Sequence, residues 1–389
     1  MDVNRVVSAV ESVLPPGPGV LSLHEPIFTG NEWEYLRECL DTGWVSSAGK
    51  YVDRFERNLC EVTGARHAAA VMNGTAALHI CLLLAGVRRD DEVLVPTLTF
   101  VATTNAVAYC GATPHFVDAD VRTLGLDVGK LDAYLREVAC LEGEVCVNRR
   151  TGAVIRAVVP MHTFGHPVDM DPLVETCLRW RIAVVEDAAE SLGSRYRGRH
   201  TGNSAMVAAL SFNGNKVVTT GGGGAILTND AVIARRAKHL TTTARVAQKW
   251  FFIHDEVGYN YRMPNLNAAL GCAQLENLSQ FVESKRLLAK KYAEALSAVD
   301  GVSLFLEQPW ACSNYWLNVL LLDRPNAQVR DQILEETNRR GILTRPVWTL
   351  MHRLPHFSAC PRMDVSVAES LEARIVNLPS SPRLRRSNG

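Results

Sequence analysis

Lys216 sits in the stretch Ser211-Phe212-Asn213-Gly214-Asn215-Lys216, shortly before Gly221-Gly222-Gly223-Gly224. A lysine amine does covalent chemistry when it attacks a carbonyl to form a Schiff base. Partial desolvation makes that amine a better nucleophile. The glycines let the backbone turn tightly and approach a ligand with no Cβ in the way. Taken alone, the same residues also describe a surface lysine before a flexible turn.

Other positions add to Lys216. Asp187 ends the apolar run Ile182–Val185 within Glu186-Asp187-Ala188-Ala189-Glu190-Ser191. A strand's carboxyl end is where α/β proteins bind ligands, and a carboxylate there can hold a ring nitrogen protonated. It also reads as an N-cap for a following helix. Glu190 lies one helical turn on and can face the same pocket. Asn73-Gly74-Thr75-Ala76 precedes a strong helical pattern. The first amides of a helix lack internal partners and its dipole favours an anion, so Gly74 and Thr75 suit a phosphate. A plain Asn-Gly turn that caps the helix fits the same residues. Phe100, after Pro96-Thr97-Leu98-Thr99, can cover a flat ring or belong to the core. Lysine, strand-end aspartate and helix N-terminus together match three needs of pyridoxal phosphate: an imine partner, a pyridinium partner and a phosphate seat.

Competing motifs are missing. There is no G-x-x-x-x-G-K-[ST], no G-x-G-x-x-G after the first strand and no G-x-S-x-G. His162 and His166 are four apart, but Gly165 and Pro167 disfavour a zinc-binding helix. They read as loop residues, and no metal site is expected.

These residues need elements to hold them. From about residue 68 to 210, helical stretches (76–85, 101–109) alternate with short apolar runs (93–95, 115–117, 154–159, 182–185). That alternation predicts βαβ units: an α/β fold with a mainly parallel central sheet flanked by helices. Residues 139–152 interrupt it as a surface insertion. Residues 1–20, ending in Pro15-Pro16-Gly17-Pro18-Gly19, read as an arm outside the core. Asn31 and Glu34 suggest a capping box for a helix with Trp33, Leu36 and Leu40 on one face, closed by Gly43. A long helical pattern follows Pro264. Residues 21–262 are expected to form a large domain and 263–389 a smaller C-terminal α+β domain.

With Lys+Arg and Asp+Glu both at 41, the net charge argues against non-specific nucleic-acid binding, though a local basic patch stays open. No apolar run approaches bilayer length, so no membrane association is expected. The N-terminus lacks the order of a signal peptide. Ten scattered cysteines, without a Cys-x-x-Cys pair, fit reduced thiols and a cytoplasmic protein.

The chain resembles the DegT-type nucleotide-sugar aminotransferases, fold type I enzymes that use pyridoxal phosphate. The likeness runs from about His24 to Pro382. Gly43–Ser47, Asn73–Leu78, Thr99–Thr103, Glu186–Ala189, Ser211–Lys216 and Gly258–Met263 carry it. Within the family it is most similar to enzymes acting on 4-keto-6-deoxy sugars, near the bacillosamine, legionaminic acid and perosamine pathways.

The resemblance implies roles. Lys216 matches the Schiff-base lysine and Asp187 the pyridine-nitrogen partner. Phe100 takes the ring-stacking position, and Gly74, Thr75 and Ser211 fall at phosphate-binding positions. Asn260 matches an asparagine that reaches the phosphate from a neighbouring subunit, which implies a homodimer with shared sites, and Arg262 is a second candidate for that contribution. Glu190 stands where many members have Gln or His, near the cofactor's phenolic oxygen. The sugar is expected near Trp44–Lys50 and Trp348–His352, with Trp44, Ser47, Arg262 and His352 as candidate contacts. Dimer or domain packing explains those loops as well. The implied reaction moves an amine from an amino acid, by family analogy glutamate, to C4 of a nucleotide-linked 4-keto-6-deoxy hexose. Amination at C3 is the near alternative. Sugar 3-dehydratases of this fold carry His in place of the lysine, and a non-catalytic binding protein would not need Lys216 and Asp187.

Overall fold

The computed structural model describes residues 2–17 and 19–384. Pro18, part of the proline-glycine stretch, and 385–389, the tail of the expected C-terminal domain, lie outside them.

A seven-stranded sheet organises the large domain. Its strands lie in the order His67–Val71, Gly224–Thr228, Val207–Ser211, Ala183–Asp187, Ile155–Val158, Glu92–Pro96 and Thr113–Val117. Gly224–Thr228 runs antiparallel to both neighbours, and the remaining pairings are parallel. This is the expected α/β architecture. Both faces are covered, which explains why Val93-Leu94-Val95 and Val207–Leu210 are continuous apolar runs and fully buried. Successive side chains serve opposite faces. Ala68, Ala70, Ala208 and Leu210 enter one core cluster, while Ala69, Val71, Val207 and Ala209 enter another.

The parallel strands point their carboxyl ends one way, so Met72–Asn73, Thr97–Phe100, Asp187 and Ser211 share one edge. The helices that follow, Gly74–Leu84 and Val101–Tyr109, begin at that edge. Gly224 is required there. A Cβ at that position would lie 2.5 Å from the backbone of Asn73, so only glycine lets the strand pass the turn.

A second sheet orders Val302–Leu304, Asn318–Leu322, Ile375–Leu378 and Arg345–Pro346, all antiparallel. It packs with the helix Leu278–Leu296. The long pattern after Pro264 is in fact two helices, separated at Asn277. The first, Asn265–Glu276, packs Ala268, Ala269 and Cys272 into the cluster of Phe55 and Phe212, on the large-sheet side.

Two expectations are corrected. The arm expected over residues 1–20 contains a helix that joins the core: Val3–Val13 is capped by Asp2, with Val6 and Val10 buried beside Leu288, Tyr292 and Leu320. Its apolar residues recur at helical spacing, and the proline run masked that signal. The helix Glu32–Thr42 does end at Gly43, in the left-handed region at φ 72°. Asn31, however, makes no side-chain cap, and Trp33 and Leu40 are 82% and 64% exposed. Glu32 and Cys39 face inward instead. The segment 139–152 forms the hairpin Ala139–Glu142 and Val145–Asn148. Among the described residues no helix is long and apolar enough to cross a membrane.

Candidate active site

A cavity of about 290 Å³ opens at the carboxyl edge of the large sheet. Gly74, Thr75, Phe100, Asp187, Glu190, Ser211 and Lys216 all line it, so the sequence candidates from four separate segments meet there.

The helix Gly74–Leu84 starts at its wall. Asn73 Oδ1 accepts the Ala76 amide at 2.7 Å, and its carbonyl accepts that of Ala77. The amides of Gly74 and Thr75 keep no partner within the helix and remain available to an anion. A Cβ on Gly74 would lie 2.8 Å from Ser211 Cβ, so the glycine keeps that corner open.

Asp187 is buried at the end of its strand. Oδ2 accepts the Thr103 hydroxyl at 2.7 Å and Oδ1 the Ala189 amide at 3.1 Å. Both donors are neutral. Burial pushes the carboxyl above its ordinary range, and the hydrogen bonds offset this only in part. A buried carboxylate with neutral donors is suited to a cation placed in the cavity.

Lys216 enters from the loop after Val207–Ser211. Phe212 N–H donates to Gly223 O and Thr220 N–H to Phe212 O, tying the two ends of that loop together. The Lys216 Nζ lies 3.3 Å from Glu190 Oε1 and 3.8 Å from the centre of the Trp316 ring. Glu190 Oε2 accepts the Phe164 amide at 2.9 Å. Burial pushes the Glu190 carboxyl up to about 7, against the pull of Lys216.

Phe100, Trp316 and Trp348 line the cavity, and Phe164 is buried against the two tryptophans. Phe100 is 47% exposed, with Trp348 at 6.0 Å; Phe164 lies 5.0 Å from Trp348 and 6.4 Å from Trp316. Trp316, Thr103, Met161, Asn213 and Asn215 are lining residues that the sequence candidates left out. Thr103 stands one turn into the helix after Phe100, a spacing that offered a signal. Trp316 and Met161 arrive by tertiary packing from distant segments and offered none.

Five candidates lie elsewhere. Ser47, Asn260 and Arg262 line a separate polar cleft with Thr243, Arg245 and Lys249. Trp44 borders a depression with Tyr51 and Asn265, and its carbonyl accepts from Asn265 Nδ2 at 2.7 Å. His352 is corrected as a substrate contact: it is buried, with Nδ1 2.7 Å from the Thr97 hydroxyl and Nε2 3.4 Å from Glu369. His162 bonds Glu186 and accepts the Val168 amide, while His166 packs edge-on against Phe305 and Tyr315.

Comparison with known proteins places this geometry. Residues 26–388 match the DegT/DnrJ/EryC1/StrS aminotransferase family. The chain is 37% identical over 364 residues to GDP-perosamine synthase of Escherichia coli O157:H7, covering 94% of each protein. It is 36% identical over 366 residues to GDP-perosamine synthase of Caulobacter vibrioides, covering 92% of this chain and 93% of that one. Among solved structures it superposes on the aminotransferase TlmJ from Streptoalloteichus hindustanus with a TM-score of 0.84, at 27% identity and 95% coverage of both chains. The chain belongs to the DegT/DnrJ/EryC1/StrS aminotransferase family and is a pyridoxal phosphate-dependent aminotransferase of fold type I.

Proposed function

We propose that the protein transfers an amino group from an amino acid, by family analogy glutamate, to C4 of a GDP-linked 4-keto-6-deoxy sugar. The product serves amino-sugar synthesis for surface glycans in the cytoplasm. The sugar and nucleotide rest on the likeness to two GDP-perosamine synthases along more than nine-tenths of the chain. The placement of the chemistry rests on one observation: Lys216, Asp187 and the Gly74–Thr75 helix start converge on one cavity.

The residues fit the cofactor. Asp187 is a buried anion without a cationic hydrogen-bond partner, Gly74 leaves an open corner beside Ser211, and Lys216 supplies an amine. When bound, pyridoxal phosphate supplies an electron sink for the charge that builds on carbon as a proton leaves. The Gly74 and Thr75 amides with Ser211 seat the phosphate. Asp187 keeps the ring nitrogen protonated, and Thr103 orients Asp187. Phe100 would cover one face of the ring and exclude water from it. Lys216 would supply the amine for the cofactor's carbonyl and the base that moves the proton at the reacting carbon. Glu190 faces Lys216 and would lie near the cofactor's phenolic edge.

The functional unit is a homodimer with shared sites. Lys216 is the only cationic side chain lining the cavity among the described residues, so the carboxylate and diphosphate of the substrates need cations from elsewhere. Asn260, Arg262, Arg245 and Lys249 line an outward cleft that can supply them to a second copy. Beside it Trp250, Phe251 and Phe252 are 75%, 68% and 75% exposed, an apolar tip suited to burial in an interface.

The test is to incubate the loaded enzyme and glutamate with GDP- and UDP-linked 4-keto-6-deoxy sugars, with and without a 2-acetamido group. A C4 amine on the GDP sugar, identified by mass and NMR, is the expected product. An amine at C3, or a preference for the UDP sugars, overturns the substrate assignment and leaves the cofactor chemistry standing.

A further inference from the structure

Glu190 is placed in a way that cofactor holding alone does not explain. Its two oxygens have different company. Oε2 accepts the Phe164 amide at 2.9 Å, while Oε1 points to Lys216 Nζ at 3.3 Å. Asp187, three residues earlier, has both oxygens engaged by neutral donors. Glu190 is therefore the carboxyl with an oxygen directed at the reactive amine.

The surrounding chain fixes this arrangement. Phe164 adopts φ 55° and ψ 17°, a left-handed conformation that costs a phenylalanine energy, and this turn delivers its amide to Glu190. Asn314 Nδ2 donates to the carbonyls of Glu190 and Leu192, each at 2.9 Å. Gly165 must be glycine, because a Cβ there would meet Asn314 Oδ1 at 1.9 Å. The backbone of Glu190 is thus held by Asn314 and one carboxyl oxygen by Phe164, which leaves the other oxygen to Lys216.

We propose that Glu190 is the proton partner of Lys216, rather than only a holder of the cofactor, and this rests on the reading of Lys216 given above. The Lys216 ammonium gives one proton to Glu190 Oε1. An N–H bond breaks and an O–H bond forms, so a charged pair becomes a neutral amine and a neutral acid. The reverse transfer recharges Lys216. The pair's net charge stays zero throughout, and no other reactant is needed.

The environment accommodates both states. The Trp316 ring under Nζ favours the ammonium. Burial and the nearby charge of Asp187 favour the neutral Glu190, whose carboxyl is raised to about 7. The other titratable groups facing the pair are His24, which burial and the charges of Lys285 and Lys216 hold well below its ordinary range, and His162, which faces Asp187. His24 has neither ring nitrogen hydrogen-bonded, so it carries no competing proton path to Glu190.

Glu190 acts through Lys216, and its test must read the proton directly. The probe is acetic anhydride on cofactor-free protein, with labelling of Lys216 followed by peptide mass spectrometry and exposed Lys290 as internal reference. Labelling of wild-type Lys216 relative to Lys290 should show an inflection near pH 7, where Glu190 changes charge beside it. Glu190→Gln keeps the shape and can still accept the Phe164 amide, but cannot take the proton. It should abolish that inflection while still binding pyridoxal phosphate. The single-turnover reaction with glutamate should slow about 10- to 100-fold, and Glu190→Asp should recover part of it.

Superimposable labelling profiles for wild type and Glu190→Gln would overturn the proposal, even if the spectrum of the loaded enzyme changed. A wild-type profile without an inflection overturns it with no variant needed. Failure of the underlying reading looks different: Lys216→Ala would then retain turnover.

Discussion

The Thr103 hydroxyl donates to Asp187 Oδ2 at 2.7 Å, joining the helix that starts beside Phe100 to the end of the strand Ala183–Asp187. One contact therefore ties the helix start at Phe100 to Asp187, the residues proposed to cover the ring and to hold its nitrogen. Thr103→Val keeps the volume and removes the donor. Losing such a bond costs about 1–3 kcal/mol, so cofactor affinity should fall roughly 5- to 100-fold while the fold persists. Equilibrium titration with pyridoxal phosphate measures this, and unchanged affinity would detach Thr103 from the site.

Asp187→Asn should still bind cofactor and react much more slowly, because the amide does not stabilise a protonated ring. A loss of at least about a hundredfold in single turnover is expected. Near-normal rates would assign the role to another group.

Lys216→Ala should lose the visible absorbance of the loaded enzyme and at least about a thousandfold in turnover. Spectra recorded before and after borohydride, with steady-state assays, check both. The same variant tests sharing between subunits. Mixed with Asn260→Ala, random exchange places both defects in one site and leaves its twin intact. With both single variants inactive, activity should return to about a quarter of wild type. If each variant stays inactive after exchange, Asn260 serves its own chain.

The Glu190 carboxyl is raised, so the folded cofactor-free protein binds its proton more tightly than the unfolded chain. That stabilisation is fully present below the ordinary glutamate range and is lost as pH rises through about 7. Asp187, also raised, acts in the same direction. Urea unfolding should therefore show wild type losing on the order of 2 kcal/mol relative to Glu190→Gln between about pH 4.5 and 8. Parallel pH dependences for the two proteins would contradict the raised value.

Much of the fold and the cofactor side of the cavity was legible because both arise from local pattern. Strand runs buried on two faces show as unbroken apolar segments, and the Asn73, Phe100 and Asp187 positions each follow such a run. Lys216 was marked by its glycine-rich surroundings. Other features were not local. Trp316 reaches Lys216 from a loop a hundred residues away, and Phe164 gained its importance from a backbone angle. His352 looked like a polar loop residue, yet Thr97 draws it inward. Ser47, Asn260 and Arg262 gather in a cleft of their own, apart from the cavity that Lys216 lines.

The reversed strand Gly224–Thr228 separates two kinds of assembly within the site. It lies directly beside Val207–Ser211, so the loop holding Lys216 is closed by near neighbours in sequence, at low entropic cost. Asp187 and the Asn73–Gly74 turn reach the same edge only when distant segments pair with that nucleus. The tether of Lys216 can therefore form before the groups proposed to bind the ring and the phosphate. A chain arrested midway would carry its lysine in place with nothing yet to receive a cofactor.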